Sequence, residues 1–520
     1  MSAHVPPGRR PRGAATLLAR WTALLPSAAA LLGGQVLAQP LPPPFTATGT
    51  VSSAGTPPSL PEPIAQALID SGLPISAVSL WVQGVDSDRP RLALQGDTPR
   101  QMASVMKLLT TGVALRTLGP AYRWHTAAAL DGRLDAQGVL RGNVHLKASG
   151  DPSMDAMRLA EALRTWRAAG LREIRGDVVV DRSLFALPSY DAAAFDGQPL
   201  KPYNAGADAW LLAHGAASLT LRPDPASPGG VRVGLNPPLA GVALDARLTL
   251  DRQSPCGDWR EALQLSIDPA PASRRTVHLR GRYPAACQDQ AWPLRWPQAT
   301  EGEHSARVFE AAWQEAGGRL RGQVRDGAWP ASPTPWLDWV SPPLAEVVRD
   351  INKFSNNVMA RQLFLTLGLD PETGHATLEG ARTQVTAHVR EATRQNASAN
   401  PCEGNALQMD NGSGLSRVEV ATAHCMARWV QVMWADPMMP EWLASLPVAG
   451  VDGTARRMAA GTGRAHLKTG SLEGAASIAG VVQDDKGRRW VVVAVVNDPR
   501  AGGARGVLQA TVGWAASGAP

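Results

Sequence analysis

Between residues 64 and 119 the apolar positions first alternate and then run together. ISAVSLWVQGV and RLALQGD, separated by the polar stretch DSDRP, have the spacing of two paired strands and predict a hairpin. SVMKLLTTGVALRTLG is apolar through most of its turns and is stopped by Gly119-Pro120, which predicts a helix buried on nearly all sides. From about 126 to 335 the runs shorten. DVVVD, SLTLRP, VRVGL and LQLSID sit between Gly, Pro and Asp turns, with one helical stretch, MRLAEALRTWRAAG. Helical spacing returns in PLAEVVRDINKF, NVMARQLFLTLG and VEVATAHCMARWVQVMW. Three strand-like runs close the chain, HLKTGSL, AASIAGVVQ and RRWVVVAVVN, the last two joined by the turn DDKG, before a helix around VLQATVGWAA. Strands at both ends with helices between them predict one sheet assembled from both termini.

A further apolar run, WTALLPSAAALLGGQVLA, opens the chain behind Arg9, Arg10, Arg12 and Arg20 and ends in the small residue Ala38. A charged start, an apolar middle and a small-residue exit predict a secretory signal peptide cleaved near Ala38. The alternative, an uncleaved anchor, is disfavoured by Pro26, Gly33, Gly34 and Gln35 in a run short for a membrane span. No other segment reaches spanning length, so the mature chain is expected to lack a transmembrane helix. Residues 39–62 are rich in Pro, Ser, Thr and Gly and predict a flexible lead-in. At 520 residues the chain exceeds what one core supports. The expected organisation is therefore a signal peptide over 1–38, a lead-in over 39–62, one domain in two parts over 63–125 and 336–520, and inserted β-rich domains over 126–335.

Composition changes this picture in two ways. Hydrophobic content of 44% and charged content of 18% suit a globular protein. The net charge of +6 owes four units to the leader arginines, which leaves 47 basic against 45 acidic side chains. With no basic block or aromatic-basic interleaving, nucleic acid is excluded as a partner. Cys256, Cys287, Cys402 and Cys425 show neither CxxC spacing nor a nearby His pair, so no metal site is expected. In an exported chain, Cys256–Cys287 and Cys402–Cys425 are the economical disulfides among three possible pairings, with four free thiols as the alternative.

Lysine focuses the search for chemistry. The chain has six lysines against 45 arginines, so a retained lysine is a candidate for work that requires losing a proton. Lys107 follows Ser104 by three residues at the start of a helix, which stacks both side chains on one face. A serine hydroxyl needs a base to become a nucleophile, and a neutral lysine can serve. A lone Ser-x-x-Lys is a weak signal; an N-cap serine beside a surface lysine would look the same, but SVMKLL is too apolar for a solvated lysine. Lys468-Thr469-Gly470 lies in HLKTGSL and is the rarer coincidence. Lys and Thr can bind a carboxylate, and Gly admits a substrate close to the strand. Ser355-Asn356-Asn357 interrupts two helical segments. A second Ser-x-Asn, at Ser398–Asn400, sits in a polar stretch, and this context favours Ser355.

The three elements in this order form the signature set of penicillin-binding proteins and serine β-lactamases. With GPAYRW, SGDPSM, SPPLAEVVRDINKFSNNVMARQL, DNGSGLSR and VVNDPR, spread from about 64 to 516, they make the chain resemble the D-alanyl-D-alanine carboxypeptidase/endopeptidase family, the class C low-molecular-weight penicillin-binding proteins. The resemblance implies an α/β (α+β) fold of the β-lactamase/transpeptidase type. That is an antiparallel sheet flanked by helices, with mostly β domains inserted in the 251-residue gap between Ser104 and Ser355. It also implies a periplasmic serine carboxypeptidase that acts on peptidoglycan stem peptides, is acylated by β-lactam antibiotics and needs no cofactor. Carried over residue by residue, Ser104 is the nucleophile, Lys107 its base and Ser355 a proton relay. Asn357 binds the peptide backbone, Lys468 and Thr469 hold the terminal carboxylate, and Gly470 and Ser471 complete the substrate-binding strand. The backbone N–H groups of Ser104 and Ser471 form the oxyanion hole, and Asp410, Asn411 and Ser413 border the site. A compact serine β-lactamase and a catalytically weak cell-wall-binding protein of this fold are the alternatives; no Gly-x-Ser-x-Gly elbow supports a lipase-like hydrolase. For the base to work, burial among Val105, Met106, Leu108 and Leu109 and the charge of Lys468 must lower Lys107 by ~3 units from its usual ~10.4.

The leader is tested by intact mass. Exported protein should begin at Gln39, and retention of Met1 would overturn cleavage.

Overall fold

The computed structural model describes residues 60–518 apart from 228, 270–273, 299 and 395–399. The expected signal peptide and nearly all of the lead-in lie outside them. Five strands form the central antiparallel sheet: β1 (Val78–Gly84), β2 (Pro90–Leu94), β3 (Ala465–Leu472), β4 (Ala475–Gln483) and β5 (Arg489–Asn497). Their order is β3-β4-β5-β1-β2, so the N-terminal hairpin is completed by the last strands of the chain, with Val78 opposite Val496. Residues Val491 to Val496 are all buried, because both faces of the sheet are covered. Such strands read as unbroken apolar runs, and each buried valine is worth about 1.5–3 kcal/mol over exposure. One face, with Leu80, Leu467, Ile478 and Val492, packs on Ile64 of the helix Glu62–Ser71 and on Val507 and Val512 of the helix Arg505–Ala516. The other, with Trp81, Ala479, Val481 and Val493, packs on a helical layer that includes Lys107–Leu118 and Ala423–Ala435.

The helix Lys107–Leu118 is the centre of that layer. Its first nine residues are all buried, including Lys107, Thr110 and Thr111. The polar members survive burial because each has a partner: Thr111 Oγ1 donates to the Lys107 carbonyl and Thr110 Oγ1 to that of Gly412. Next to it, the helix Leu344–Phe354 ends at Ser355, and Asn356 starts the helix Asn357–Leu367 by accepting from Val358 and Met359 N–H.

The chain leaves this core at His125 and returns at Val340, and those two residues are partners in one ladder: the strand Thr334–Val340 pairs antiparallel with His125–Leu134. Between them lie a seven-stranded sheet, of which these two strands are part, and two three-stranded sheets. The expected helix is there, Ala156–Ala168, together with a second one that the sequence pattern does not predict, Glu303–Glu315. His304, Val308, Phe309 and Trp313 give it a buried stripe. Its polar flank, EGEHSAR, conceals that stripe in a region of short strand runs. Trp166 and Trp313 from the two helices meet at 6.0 Å. Leu378–Thr393 is a further helix beyond the expected set, capped by Thr377.

The disulfides join Cys256 to Cys287 and Cys402 to Cys425, the economical pairing. The second ties the segment after Leu378–Thr393 to the helix Ala423–Ala435. With separations of 31 and 23 residues, each is worth about 3–4 kcal/mol in the chain-entropy model. The double variant C402S/C425S should lose about that much in urea unfolding, and an unchanged midpoint would refute it.

Candidate active site

Ser104 sits in a short 3₁₀ turn, Ala103–Met106, that leads into the helix Lys107–Leu118. Three neighbours fix this turn from outside. Ser477 Oγ on β4 donates to the Met102 carbonyl at 2.6 Å. Gly470 on β3 passes so close that a β-carbon there would stand 2.6 Å from the same oxygen. Gly414 has φ +77°, and its β-carbon would lie 1.8 Å from the Ala103 carbonyl oxygen, so no other residue fits. Ala103 itself holds a positive φ of 46°, a strained conformation that persists because these contacts impose it.

Lys107 is buried, and its Nζ reaches three oxygens: Ser104 Oγ at 2.8 Å, Asn357 Oδ1 at 2.5 Å and the Ser413 carbonyl at 2.5 Å. Burial pushes its amine well below the usual lysine value, the charges of Lys468 and Arg361 push it further, and Glu419 pulls the other way. Lys468 is equally buried on β3. Its Nζ donates to Ser355 Oγ at 2.8 Å and to the Thr469 carbonyl at 2.7 Å, and desolvation brings it down to about 7. The charge assigned to Lys468 from sequence is therefore not permanent near neutral pH. Ser355 holds the left-handed conformation, φ 56°, at the end of its helix, a second strained residue facing this cluster.

The structure thus gathers Ser104, Lys107 and Asn357 into one set of contacts and Ser355 and Lys468 into a second, Ser355 lying two residues before Asn357. Thr469 Oγ1 donates to Thr454 Oγ1 at 2.7 Å, and Ser471 is exposed near the end of β3. Of the 410–413 loop, Ser413 contributes its carbonyl to Lys107, Asn411 accepts from Ser413 Oγ, and Asp410 is held by Arg382. Asn400 of the other Ser-x-Asn is spent elsewhere, capping the end of the helix Leu378–Thr393 through the Arg390 carbonyl. Glu419 joins the site without having been among the expected residues. It is buried and accepts from the N–H groups of Asp410, Gly412 and Gly414, which holds the loop in the shape that presents the Ser413 carbonyl. An acid three residues past DNGSGLS is its only trace in the sequence. A cavity of about 350 Å³ adjoins the site, lined among others by Asn357, Ser471, Glu473, Asp196, Tyr203 and Arg417.

The pH dependence of stability follows from Lys468. Its folded value near 7 lies below the unfolded ~10.4, so unfolding takes up a proton between those pH values. The cost to folding is complete below about pH 7 and fades as pH approaches ~10. K468M should therefore gain stability relative to the unmodified chain at about pH 6.5, on the order of a few kcal/mol, with the gap closing toward about pH 10. Urea midpoints at both pH values decide this; a difference independent of pH would refute it.

Comparison with known proteins places this geometry. A D-alanyl-D-alanine carboxypeptidase of Actinomadura sp. (strain R39) is 27% identical over 423 residues, 77% of this chain and 73% of the relative. D-alanyl-D-alanine carboxypeptidase DacB of Haemophilus influenzae is 23% identical over 439 residues, 81% of this chain and 85% of the relative. The crystal structure of penicillin binding protein 4 from Haemophilus influenzae superimposes with a TM-score of 0.65 at 20% identity, covering 84% of this chain and 93% of that one. The pattern of the D-Ala-D-Ala carboxypeptidase 3 (S13) family matches residues 60–517, and the chain belongs to that family.

Proposed function

We propose that the chain is a serine D-Ala-D-Ala carboxypeptidase/endopeptidase that cleaves peptidoglycan stem peptides through an acyl-enzyme on Ser104. The observation that carries this reading is the 2.8 Å contact between Ser104 Oγ and a buried Lys107 amine whose proton affinity is depressed. A neutral amine has two N–H bonds and one lone pair. Asn357 Oδ1 and the Ser413 carbonyl can take the two N–H bonds, which leaves the lone pair for the Ser104 proton. Ser104 Oγ then attacks the carbonyl carbon of the penultimate D-Ala while Lys107 accepts its proton. The oxyanion is received by the backbone N–H groups of Ser104 and Ser471, each donor typically worth about 2.7–4 kcal/mol. Ser355, bonded to Lys468, relays the proton that Lys107 has taken from Ser104 to the departing amine as the C–N bond breaks, which leaves Lys107 neutral and Ser355 a hydroxyl. Water next hydrolyses the ester, returning Ser104 and releasing the shortened peptide.

Lys468 and Thr469 hold the substrate's terminal carboxylate. A bound carboxylate favours the charged form of Lys468, and that charge in turn lowers Lys107, so the correct substrate readies its own base. The cavity beside Asn357 takes the side chain of the residue preceding the D-Ala pair. β-Lactams acylate the same serine, since their strained amide presents a carbonyl and a carboxylate in the same relation. Peptidoglycan lies outside the cytoplasm, and the arginine-then-apolar leader supports export to the periplasm with cleavage near Ala38. Among the described residues, no helix is long and apolar enough to cross a membrane.

Two sets of variants test the roles. S104A should form no covalent adduct with a fluorescent penicillin, and a persisting adduct would remove Ser104 as the nucleophile. K107R should lower the second-order acylation rate at least ~10²–10⁴-fold, because a guanidinium keeps its proton at any working pH. K468R should retain a measurable fraction of the rate, because a cation there still attracts a carboxylate. Equal losses, or the milder loss at Lys107, would overturn the assignment.

A further inference from the structure

We propose that Arg361 is a positioning residue that ties the 190–205 segment to the helix bearing Asn357 and places a positive charge one turn from the Asn357–Lys107 contact. This rests on the reading of Lys107 as the base. Arg361 follows Asn357 by four residues, so the two share one face of the helix Asn357–Leu367. It is 7% exposed. Its Nη1 donates to the carbonyl oxygens of Ala205 at 2.9 Å and Tyr203 at 3.1 Å, with Tyr190 Oη at 3.4 Å.

None of these acceptors carries a net charge, and among the described residues no carboxylate forms an ion pair with Arg361. Arg275 is neutralised by Glu303 and the half-buried Arg182 by Asp208 and Asp326, whereas Arg100, like Arg361, is buried against neutral acceptors. Asp208 and Asp410 line the same cleft as Arg361, but Arg182 holds the first and Arg382 the second. Keeping a guanidinium buried without a counter-charge is costly, and a methionine or glutamine would fill the space more cheaply. The guanidinium belongs to the residue one helical turn from Asn357, whose Oδ1 contacts Lys107, and its field falls on Lys107 in the same sense as that of Lys468 and opposed by Glu419.

The hydrogen bonds have a separate use. The turn Pro202–Asn204 is stapled to Asp196, which accepts from Tyr203 Oη and Asn204 Nδ2, both at 2.8 Å. Asp196 and Tyr203 line the cavity beside Asn357. By gripping the carbonyls on either side of Asn204, Arg361 fixes that wall relative to Asn357.

Charge and grip can be separated in the full chain. R361Q removes the charge; R361K keeps it but loses the planar pair of N–H bonds to two carbonyls. Without the positive neighbour, Lys107 holds its proton to higher pH. The acid limb of penicillin acylation should then move to higher pH in R361Q. Lys468 and Glu419, which face Lys107 from β3 and from the 410–419 loop, are unchanged in both variants. R361K should leave the limb in place, while KM for a D-Ala-D-Ala peptide with a charged preceding side chain rises several-fold and penicillin acylation stays near that of the unmodified chain. An unmoved limb in R361Q, or a limb moved as far in R361K, would overturn the proposal. If R361Q fails to fold, R361K decides alone, because a shifted limb or an unchanged peptide KM refutes the role. Failure of the unmodified chain to label at Ser104 is a different result, and overturns the reading of the active site beneath it.

Discussion

Two lysines buried within one small volume, neither paired with a carboxylate, are the constraint around which the rest of the site is built. Water would hold both as ammonium ions; the interior resists that charge in each, and Lys468 resists it further in Lys107. Such an arrangement survives only where the surroundings leave the side chains no alternative. The helix of Lys107 is covered on all sides, and β3, which carries Lys468, is an edge strand closed off at Ser104 by the approach of Gly470 to Met102. Strain at Ala103 and Ser355 belongs to the same account. The large buried sheet supplies stability, and a few residues at its margin consume part of it for proton transfer.

The amino-acid pattern is legible where one physical demand leaves a single trace. The all-buried β5 could only be an unbroken apolar run, and the central helix could only be apolar on every side. Lysine scarcity, in a chain that elsewhere uses arginine, is enough to mark Lys107 and Lys468. It does not reveal that Lys468 is itself near its own titration point, since that depends on coverage by elements distant in sequence. Glu419 and Arg361 escape for a related reason. Their partners are backbone N–H groups and carbonyls, which every residue has, so no side-chain pattern announces them. The helix Glu303–Glu315 is obscured because its buried stripe is carried by only a few positions amid polar neighbours.

The inserted region is joined to the core at one place in the sequence but meets it at another. Its entry and exit are neighbours in one ladder, His125 against Val340, so the core could accommodate the excursion without opening its own sheet. The excursion then comes back to the active site through the 190–205 segment, where Asp196 and Tyr203 line the same cavity as Asn357. On the function proposed above, side-chain recognition falls to residues remote in sequence from the reactive serine, which lets the one change while the other is kept.

The pairing of β1 with β5 also governs when the molecule can come into being. The first hairpin exposes a strand edge that only the final strands can cover, so the core cannot close while the chain is still emerging from the ribosome. Contacts between such distant segments form slowly. For the export proposed above, that delay has a consequence: the turn that holds Ser104 cannot be fixed by Ser477 and Gly470 before the last strands are made.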